Sequence, residues 1–184
     1  MAVIHRTILK PSKLELLTTW LPTQPWYRGR GAPSLTKAGG FRLDDPAGEV
    51  GIELMIVTDA AGPEVDAYLV PLTYRAAPAE GTLIGTMDHG VLGLRYAYDG
   101  PTDPVFRSQV DALLRGEVSP QAQSESDTID RTVRVAVAPG ATDVAIVRWL
   151  DAASAAESDL PGTVSAPWHN PDGAPNRSVV LRAS

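Results

Sequence analysis

Apolar residues in several stretches of this chain recur at every second position, which is the pattern of a β-strand with one face towards a core. The clearest run covers residues 50–57, where Val50, Ile52, Leu54 and Ile56 alternate with other residues, and it predicts a strand whose second face is solvated or partly covered. Alternation recurs at residues 65–74 and 131–138, and further strands are predicted at residues 82–88, 91–98, 142–150 and 178–182. Strands that follow one another through short turns predict an antiparallel α+β fold rather than β-α-β alternation.

Two helices interrupt this pattern. Ser12 followed three residues later by Glu15 is a capping box, so we predict that a helix begins at residue 12 and ends near residue 21. Asp103 followed by Pro104 is an N-cap with proline at the first helical position, and Gly116 is placed to end this second helix. The sequence therefore predicts a curved antiparallel sheet of about six or seven strands, with the N-terminal helix packed on it and a second helix.

The segments between these elements are assigned to turns and loops. Gly and Arg are frequent at residues 28–40, and residues 152–166 are small and acidic, so both are predicted as loops. Residues 117–130 are polar and are predicted as a mobile loop, and a turn at residues 139–140 is expected to join two strands into a hairpin. Pro71 lies inside a strand and indicates an edge strand or a bulge. We expect one domain over residues 1–184.

Composition excludes several classes of function. The 184 residues include no cysteine, so disulfides, zinc-thiolate sites, iron-sulfur clusters and thiol nucleophiles are excluded. A net charge of -6 argues against binding to nucleic acid or to an anionic membrane, both of which need a positive field. Neither a secretory signal nor an apolar run of spanning length is evident, and we expect a cytoplasmic protein.

Catalytic motifs are also missing from the sequence. The chain has no phosphate loop, nucleophile elbow or metalloprotease motif, and His5, His89 and His169 are isolated from one another. His89 beside Asp88 is a weak candidate for an acid-base dyad, because a solvated turn is the more common arrangement. Asp99 and Asp103 flank a turn, as an Asx-turn residue and a helix cap do. We therefore predict no catalytic, cofactor-binding or metal-ligating residue and no cofactor.

The least generic stretch follows the first helix. Trp26, Tyr27, Arg28 and Arg30 lie within five residues and form the candidate interaction surface. Two interpretations stay open: the rings stack on a sugar or a base, or they pack the chain against the sheet while the arginines remain in solvent. Trp20 is predicted to lie in the core.

Three stretches of this sequence resemble the N-terminal cap domain of actinobacterial maltokinases. The opening motif has Trp20-Leu21, Gln24 and Trp26-Tyr27, with Pro25 where those kinases carry arginine. The strand at residues 68–75 and the stretch at residues 90–105 are similar to the same family. The resemblance covers most of the chain, and the motifs that carry it are aromatic and structural.

The resemblance implies a free-standing cap that lacks the kinase lobes, with a cystatin-like fold in which a helix packs across a curved sheet. Phosphoryl transfer is not expected, because the groups that perform it lie in those lobes. The expected function is a non-catalytic interaction or regulatory module that binds a kinase or another enzyme of trehalose, maltose or α-glucan metabolism. The alternative is a carbohydrate-binding module that holds an oligosaccharide with Trp26, Tyr27 and Trp168. An enzyme built on His89 and Asp88 is a third hypothesis.

Overall fold

The computed structural model describes residues 9–140 and 143–183 of the chain. Within these ranges the fold is α+β, with ten strands in one curved antiparallel sheet and two α-helices, so the predicted fold class is confirmed. The elements in chain order are β1 (Leu9–Lys10), α1 (Lys13–Trp20), β2 (Leu35–Leu43), β3 (Gly51–Asp59), β4 (Asp66–Arg75), β5 (Leu83–His89), β6 (Gly93–Asp99), α2 (Pro104–Leu114), β7 (Arg134–Ala136), β8 (Val144–Ile146), β9 (Thr163–His169) and β10 (Pro175–Ala183).

Both helices begin and end where their capping residues predict. The Ser12 hydroxyl accepts a hydrogen bond from the Glu15 amide at 3.2 Å, and the Glu15 carboxylate accepts one from the Ser12 amide at 2.6 Å. The Asp103 carboxylate accepts from the amide of Val105 at 2.9 Å at the start of α2. Gly116 follows α2 with a φ of 75°, a conformation that glycine adopts without strain.

The sheet curves until its strands form a closed ring. Its order is β1-β5-β6-β4-β3-β2-β9-β10-β8, and β7 pairs with β9. The chain that follows β8 then closes the gap between β10 and β4. The Val147 amide donates to Val180 at 3.0 Å, while the Leu69 amide donates to the carbonyl of Arg148 at 2.9 Å and the Leu150 amide donates to Ala67 at 2.8 Å. The ring therefore consists of β4, β3, β2, β9, β10 and the segment at residues 144–150.

Three strands of the described chain were not predicted from the sequence, which accounts for ten strands rather than six or seven. They are β1, which has two residues, and β2 and β9, which lie at the centre of the sheet. The assignment of residues 28–40 to a loop is wrong from Leu35 onwards, because Gly39 and Gly40 are paired residues of β2 that follow a bulge between Lys37 and Gly39, and they do not form a turn. A Cβ on Gly40 would lie 2.2 Å from the carbonyl oxygen of Leu54, so only glycine fits this close approach. Likewise β9 occupies part of the predicted loop at residues 152–166.

The predicted hairpin between residues 131–138 and 142–150 is also wrong. In the structure β7 pairs with β9 and β8 pairs with β10, so the two strands bind different neighbours. Residues 117–130 contain no helix or strand, but Gln121 forms bridges with Arg42 and with Ile129. The mobility of this loop and the single domain over residues 1–184 stay predictions.

Pro71 does not mark an edge strand, because β4 lies between β3 and β6 in the sheet and Pro71 is buried. The edge of β4 that does not pair with β3 has two hydrogen-bonded neighbours, one after the other along the strand. Leu69 bonds to Arg148, whereas Leu72 begins the pairing with β6 opposite Asp99. Pro71 stands where one neighbour ends and the next begins, so its missing N–H breaks no ladder bond.

The two faces of the central strands pack against different partners. The inner face fills the ring together with α2, and its largest members are Phe41, Leu43, Ile52, Leu54, Ile56, Leu69, Phe106 and Leu113. The outer face of β3 and β4 is covered by α1 and the chain that follows it, through Leu17, Trp20, Leu21, Met55, Val57, Tyr68, Val70 and Leu72. The second face of the strand at residues 50–57 is therefore buried and not solvated.

Candidate interaction surface

The aromatic loop, defined as residues 24–30, returns the chain from the end of α1 to the outer face of β4. A short 3-10 helix, Leu21–Thr23, reverses the direction of the chain. The Trp26 ring then lies 5.9 Å from Trp20, edge to face, and 6.0 Å from Tyr68, measured between ring centroids. Trp20 is buried, as predicted, and Trp26 is half-buried. Packing against the sheet is therefore the interpretation that the structure supports for Trp26.

Tyr27 fixes the loop to the end of β3. Its hydroxyl donates to the carboxylate of Asp59 at 2.7 Å, and its ring lies 5.5 Å from Tyr68. Asp59 is buried and also accepts from the amides of Ser34 at 2.8 Å and Ala61 at 3.0 Å. Burial raises the pKa of Tyr27, and the bond to Asp59 raises it further. Tyr27 is thus held in one orientation as a hydrogen-bond donor.

Arginine side chains lie on the tryptophan rings of this region. The Arg28 guanidinium lies 3.6 Å from the centroid of Trp149, whose indole N–H donates to Asp66 at 2.8 Å. On the other side, Arg148 lies 4.8 Å from the centroid of Trp26. Stacking of this kind attracts a cation to the face of a ring and leaves the N–H groups in the guanidinium plane free to bind other groups.

Arg148 is paired with Asp99. One guanidinium nitrogen of Arg148 donates to both oxygens of Asp99, at 2.7 and 2.8 Å. The interpretation of Asp99 as an Asx-turn residue is therefore wrong, because its carboxylate binds a side chain that is 49 positions away. Asp103 is the predicted helix cap, and it also binds the guanidinium of Arg75 through both oxygens at 2.8 Å.

A cleft of about 430 Å³ opens beside the aromatic loop. One side of the cleft is lined by the loop residues Arg28, Gly29 and Arg30. The other side is lined by Asp59 at the end of β3, residues 61–64 of the connection, and Asp66 at the start of β4. Arg28 and Arg30 are exposed, whereas Tyr27 is half-buried, so the four candidate residues divide into two anchors and two accessible cations. The structure brings Arg28 and Arg30 to one cleft, which the sequence prediction did not specify.

A buried carboxylate lies under α1, on the same outer face. The side chain of Glu53 accepts from Lys13, from the hydroxyl of Tyr74 at 2.7 Å and from the amide of Gln123 at 2.9 Å. Burial by itself raises the pKa of Glu53, but Lys13, with further contributions from Lys37 and Tyr74, holds this pKa below its ordinary value. The cluster joins α1, β3, β4 and the loop at residues 117–130.

The other residues that sequence reasoning considered lie apart from this cleft. The imidazole Nδ1 of His89 accepts from the amide of Leu92 at 3.2 Å, and neither His89 nor Asp88 lines the cleft. Trp168 is buried in the inner core, where its indole N–H donates to Ser178 at 3.0 Å, so its proposed role in sugar stacking is wrong. His5 lies outside the described residues.

Over residues 9–140 and 143–183, no group of three or more His, Asp or Glu side chains is arranged to hold a metal ion. In the same ranges, no helix has the length and apolar character needed to cross a membrane.

Sequence reasoning did not find Trp149, Asp66 or Glu64. Trp149 bonds to Asp66 across 83 positions and stacks with Arg28, and no local pattern indicates such a pairing. Glu64 follows the turn residues Gly62-Pro63, which predict its exposure and nothing more.

The described fold has a helix packed on a curved antiparallel sheet, with the aromatic loop between the two. Residues 20–103 match the family model of the maltokinase N-terminal cap domain. The match begins at the end of α1, includes the aromatic loop and β2 to β6, and ends at the residue that caps α2.

Residues 20–103 are therefore similar to a maltokinase N-terminal cap domain, as the sequence resemblance implied. In maltokinases this cap is the N-terminal, non-catalytic part. No curated protein and no solved structure matches the chain.

Proposed function

We propose that this protein is a non-catalytic cap-like module of the cytoplasm that binds an enzyme of maltose, trehalose or α-glucan metabolism. The surface that we assign to this contact is the aromatic loop, with Trp26 and Tyr27 as anchors and Arg28 and Arg30 as the groups that meet the partner. The family match over residues 20–103 supports the class of partner, because the cap of a maltokinase belongs to an enzyme that acts on maltose.

The observation that carries the proposal is the stacking of Arg28 on Trp149 at 3.6 Å beside an open cleft. An arginine that is already ordered loses little conformational entropy when a partner binds it, so more of the interaction energy appears as affinity. Arg, Trp and Tyr are also the residues that most often dominate protein interfaces. The anchors supply the rigidity, because both rings pack on Tyr68.

The proposal is tested with purified components. The chain is mixed with a maltokinase, an enzyme that makes maltose from trehalose, and an enzyme that elongates α-glucan, and complexes are measured by calorimetry and light scattering. We expect one of these enzymes to bind, and we expect the double substitution Arg28→Ala with Arg30→Ala to weaken that complex. Arg131→Ala is the matched control, because Arg131 is exposed and lies outside the cleft.

Two outcomes would contradict the proposal. The first is that no enzyme of the three classes binds. The second is that calorimetry with maltose or maltooligosaccharides shows saturable binding that the arginine substitutions abolish, which would make the surface a sugar site.

A further inference from the structure

We propose that the cleft beside the aromatic loop binds a segment of the partner protein that carries both a carboxylate and a cation. This inference rests on the proposed function and names the chemistry of the contact. Within the described part of the chain, the guanidiniums of Arg28 and Arg30 form no ion pair and donate no hydrogen bond to the protein, so their donors are available. They are suited to a carboxylate, which a guanidinium binds through two parallel hydrogen bonds.

The opposite charge is supplied by the β3–β4 connection. Glu64 is exposed and, among the residues described, forms no hydrogen bond or ion pair. Asp66 uses one oxygen to orient Trp149, and Asp59 is occupied by Tyr27 and two backbone amides. Glu64 and the second oxygen of Asp66 are therefore the acceptors for a cation.

This distribution of charge selects among ligands. Three carboxylates and two guanidiniums line the same cleft, so a small dianion such as phosphate would be repelled by the acidic side chains. A purely basic ligand would be repelled by Arg28 and Arg30. A segment with a glutamate or aspartate near a lysine or arginine satisfies both sets of groups at once, which is how charge complementarity produces specificity.

The test uses the full chain, labelled with ¹⁵N, and blocked tripeptides as probes. Glu-Gly-Lys carries both charges, Gln-Gly-Lys and Glu-Gly-Gln carry one each, and inorganic phosphate serves as the anion alone. NMR titration is suitable because exposed ion pairs give weak binding. The reporters are the indole N–H of Trp149 and the amides of Gly29 and Gly62, which lie in or next to the cleft.

We expect saturable shifts of these reporters with Glu-Gly-Lys, and binding about fivefold weaker for each singly charged peptide. Arg30→Ala and Glu64→Gln are each expected to weaken Glu-Gly-Lys about fivefold, whereas Arg131→Ala leaves it unchanged. Unaltered spectra elsewhere in each variant show that it is folded. The inference is overturned if phosphate binds as well as Glu-Gly-Lys, if the reporters do not shift, or if both variants bind normally.

The two proposals fail separately. If Glu-Gly-Lys binds the cleft but no enzyme of maltose, trehalose or α-glucan metabolism binds the chain, the partner class is rejected and the cleft chemistry stands. If an enzyme binds and neither Arg30→Ala nor Glu64→Gln affects its affinity, the module stands and the cleft chemistry is rejected.

Discussion

The two faces of β3 and β4 are both buried, yet they are built from different chemistry. The inner face is filled mainly by aliphatic side chains and a few rings such as Phe41, and its buried carboxylate, Asp103, lies at the edge of the core, where it caps α2. The outer face combines Trp20, Trp26 and Tyr68 with the buried carboxylates of Glu53 and Asp59. A buried carboxylate needs partners in fixed positions, whereas an apolar core needs only volume and shape. The outer face is therefore the one that holds a loop in a defined orientation.

The largest effect is expected for the inner face. Phe41→Ala removes a fully buried ring from the centre of the core, and we expect a loss of about 3–5 kcal/mol in the free energy of unfolding. Urea denaturation followed by fluorescence measures this loss. Ile129→Ala is the control, because Ile129 is 51% exposed and its truncation should cost little. Equal effects of the two substitutions would contradict the assignment of Phe41 to the core.

A somewhat smaller effect is expected on the outer face from Lys13→Met, which removes the cation beside Glu53. We expect a loss of about 2–3 kcal/mol, because Lys13 is partly exposed while Tyr74 and Gln123 still donate to the carboxylate. Lys37→Met is the matched control, since its ammonium lies 3.9 Å from Glu53 and is more exposed. Comparable losses from Lys37→Met and Lys13→Met would contradict this account.

Lys13→Met is also expected to reverse the pH dependence of the contribution that Glu53 makes to the free energy of unfolding. In the natural chain the pKa of Glu53 is held below its ordinary value, so its contribution is complete above the pKa of the unfolded carboxyl and is lost as pH falls through the folded pKa. Burial is the largest of the effects on the pKa of Glu53, so we expect the loss of Lys13 to raise this pKa. The deficit of the variant should therefore be largest near about pH 7 and shrink towards about pH 4. A deficit that grows on acidification would contradict this assignment.

A moderate effect is expected for Tyr27→Phe, which removes one of the three hydrogen bonds that Asp59 accepts. Because Ser34 and Ala61 still donate, we expect a loss of about 1 kcal/mol in unfolding free energy. Tyr96→Phe provides the comparison, as no hydrogen bond of the Tyr96 hydroxyl is found in the described chain. A neutral result for Tyr27→Phe would show that the bond to Asp59 does not anchor the loop.

The smallest effect on stability is expected for Arg30→Ala. Arg30 is exposed, so its removal should change the unfolding free energy by less than about 0.5 kcal/mol. The same variant is expected to weaken partner binding. A loss of binding without a loss of stability distinguishes an accessible group such as Arg30 from an anchor such as Tyr27. A large loss of stability would show that Arg30 belongs to the packed loop rather than to its surface.

The family match covers only part of the closed ring. Residues 20–103 supply β4, β3 and β2, whereas β9, β10 and the segment at residues 144–150 lie beyond the match and complete the ring. The stacking of Arg28 on Trp149 joins the two parts, since Trp149 lies in the closing segment. The cleft that we propose as a binding site therefore depends on chain outside the matched region.

Prediction from the sequence succeeded where local interactions decide the structure. The capping box of α1, the N-cap of α2, the β3–β4 pair and the β5–β6 hairpin all depend on residues close in sequence. It failed at β2, where two paired glycines beside a bulge have the same composition as a turn, and at β9, whose proline and small residues do not resemble a strand. At the candidate site, it selected the loop but could not separate anchors from accessible groups.

The sequence by itself determined the α+β class, the two helices with their ends, the alternating strands and the resemblance to the maltokinase cap. Only the tertiary structure decided that the sheet closes through residues 147–150, that Trp168 lies in the core, and that Arg28 and Arg30 share a cleft with Glu64. The physical reason is the range of the interactions. Capping and alternation are set within a few residues, whereas the bonds of Asp99 to Arg148 and of Trp149 to Asp66 join positions 49 and 83 residues apart.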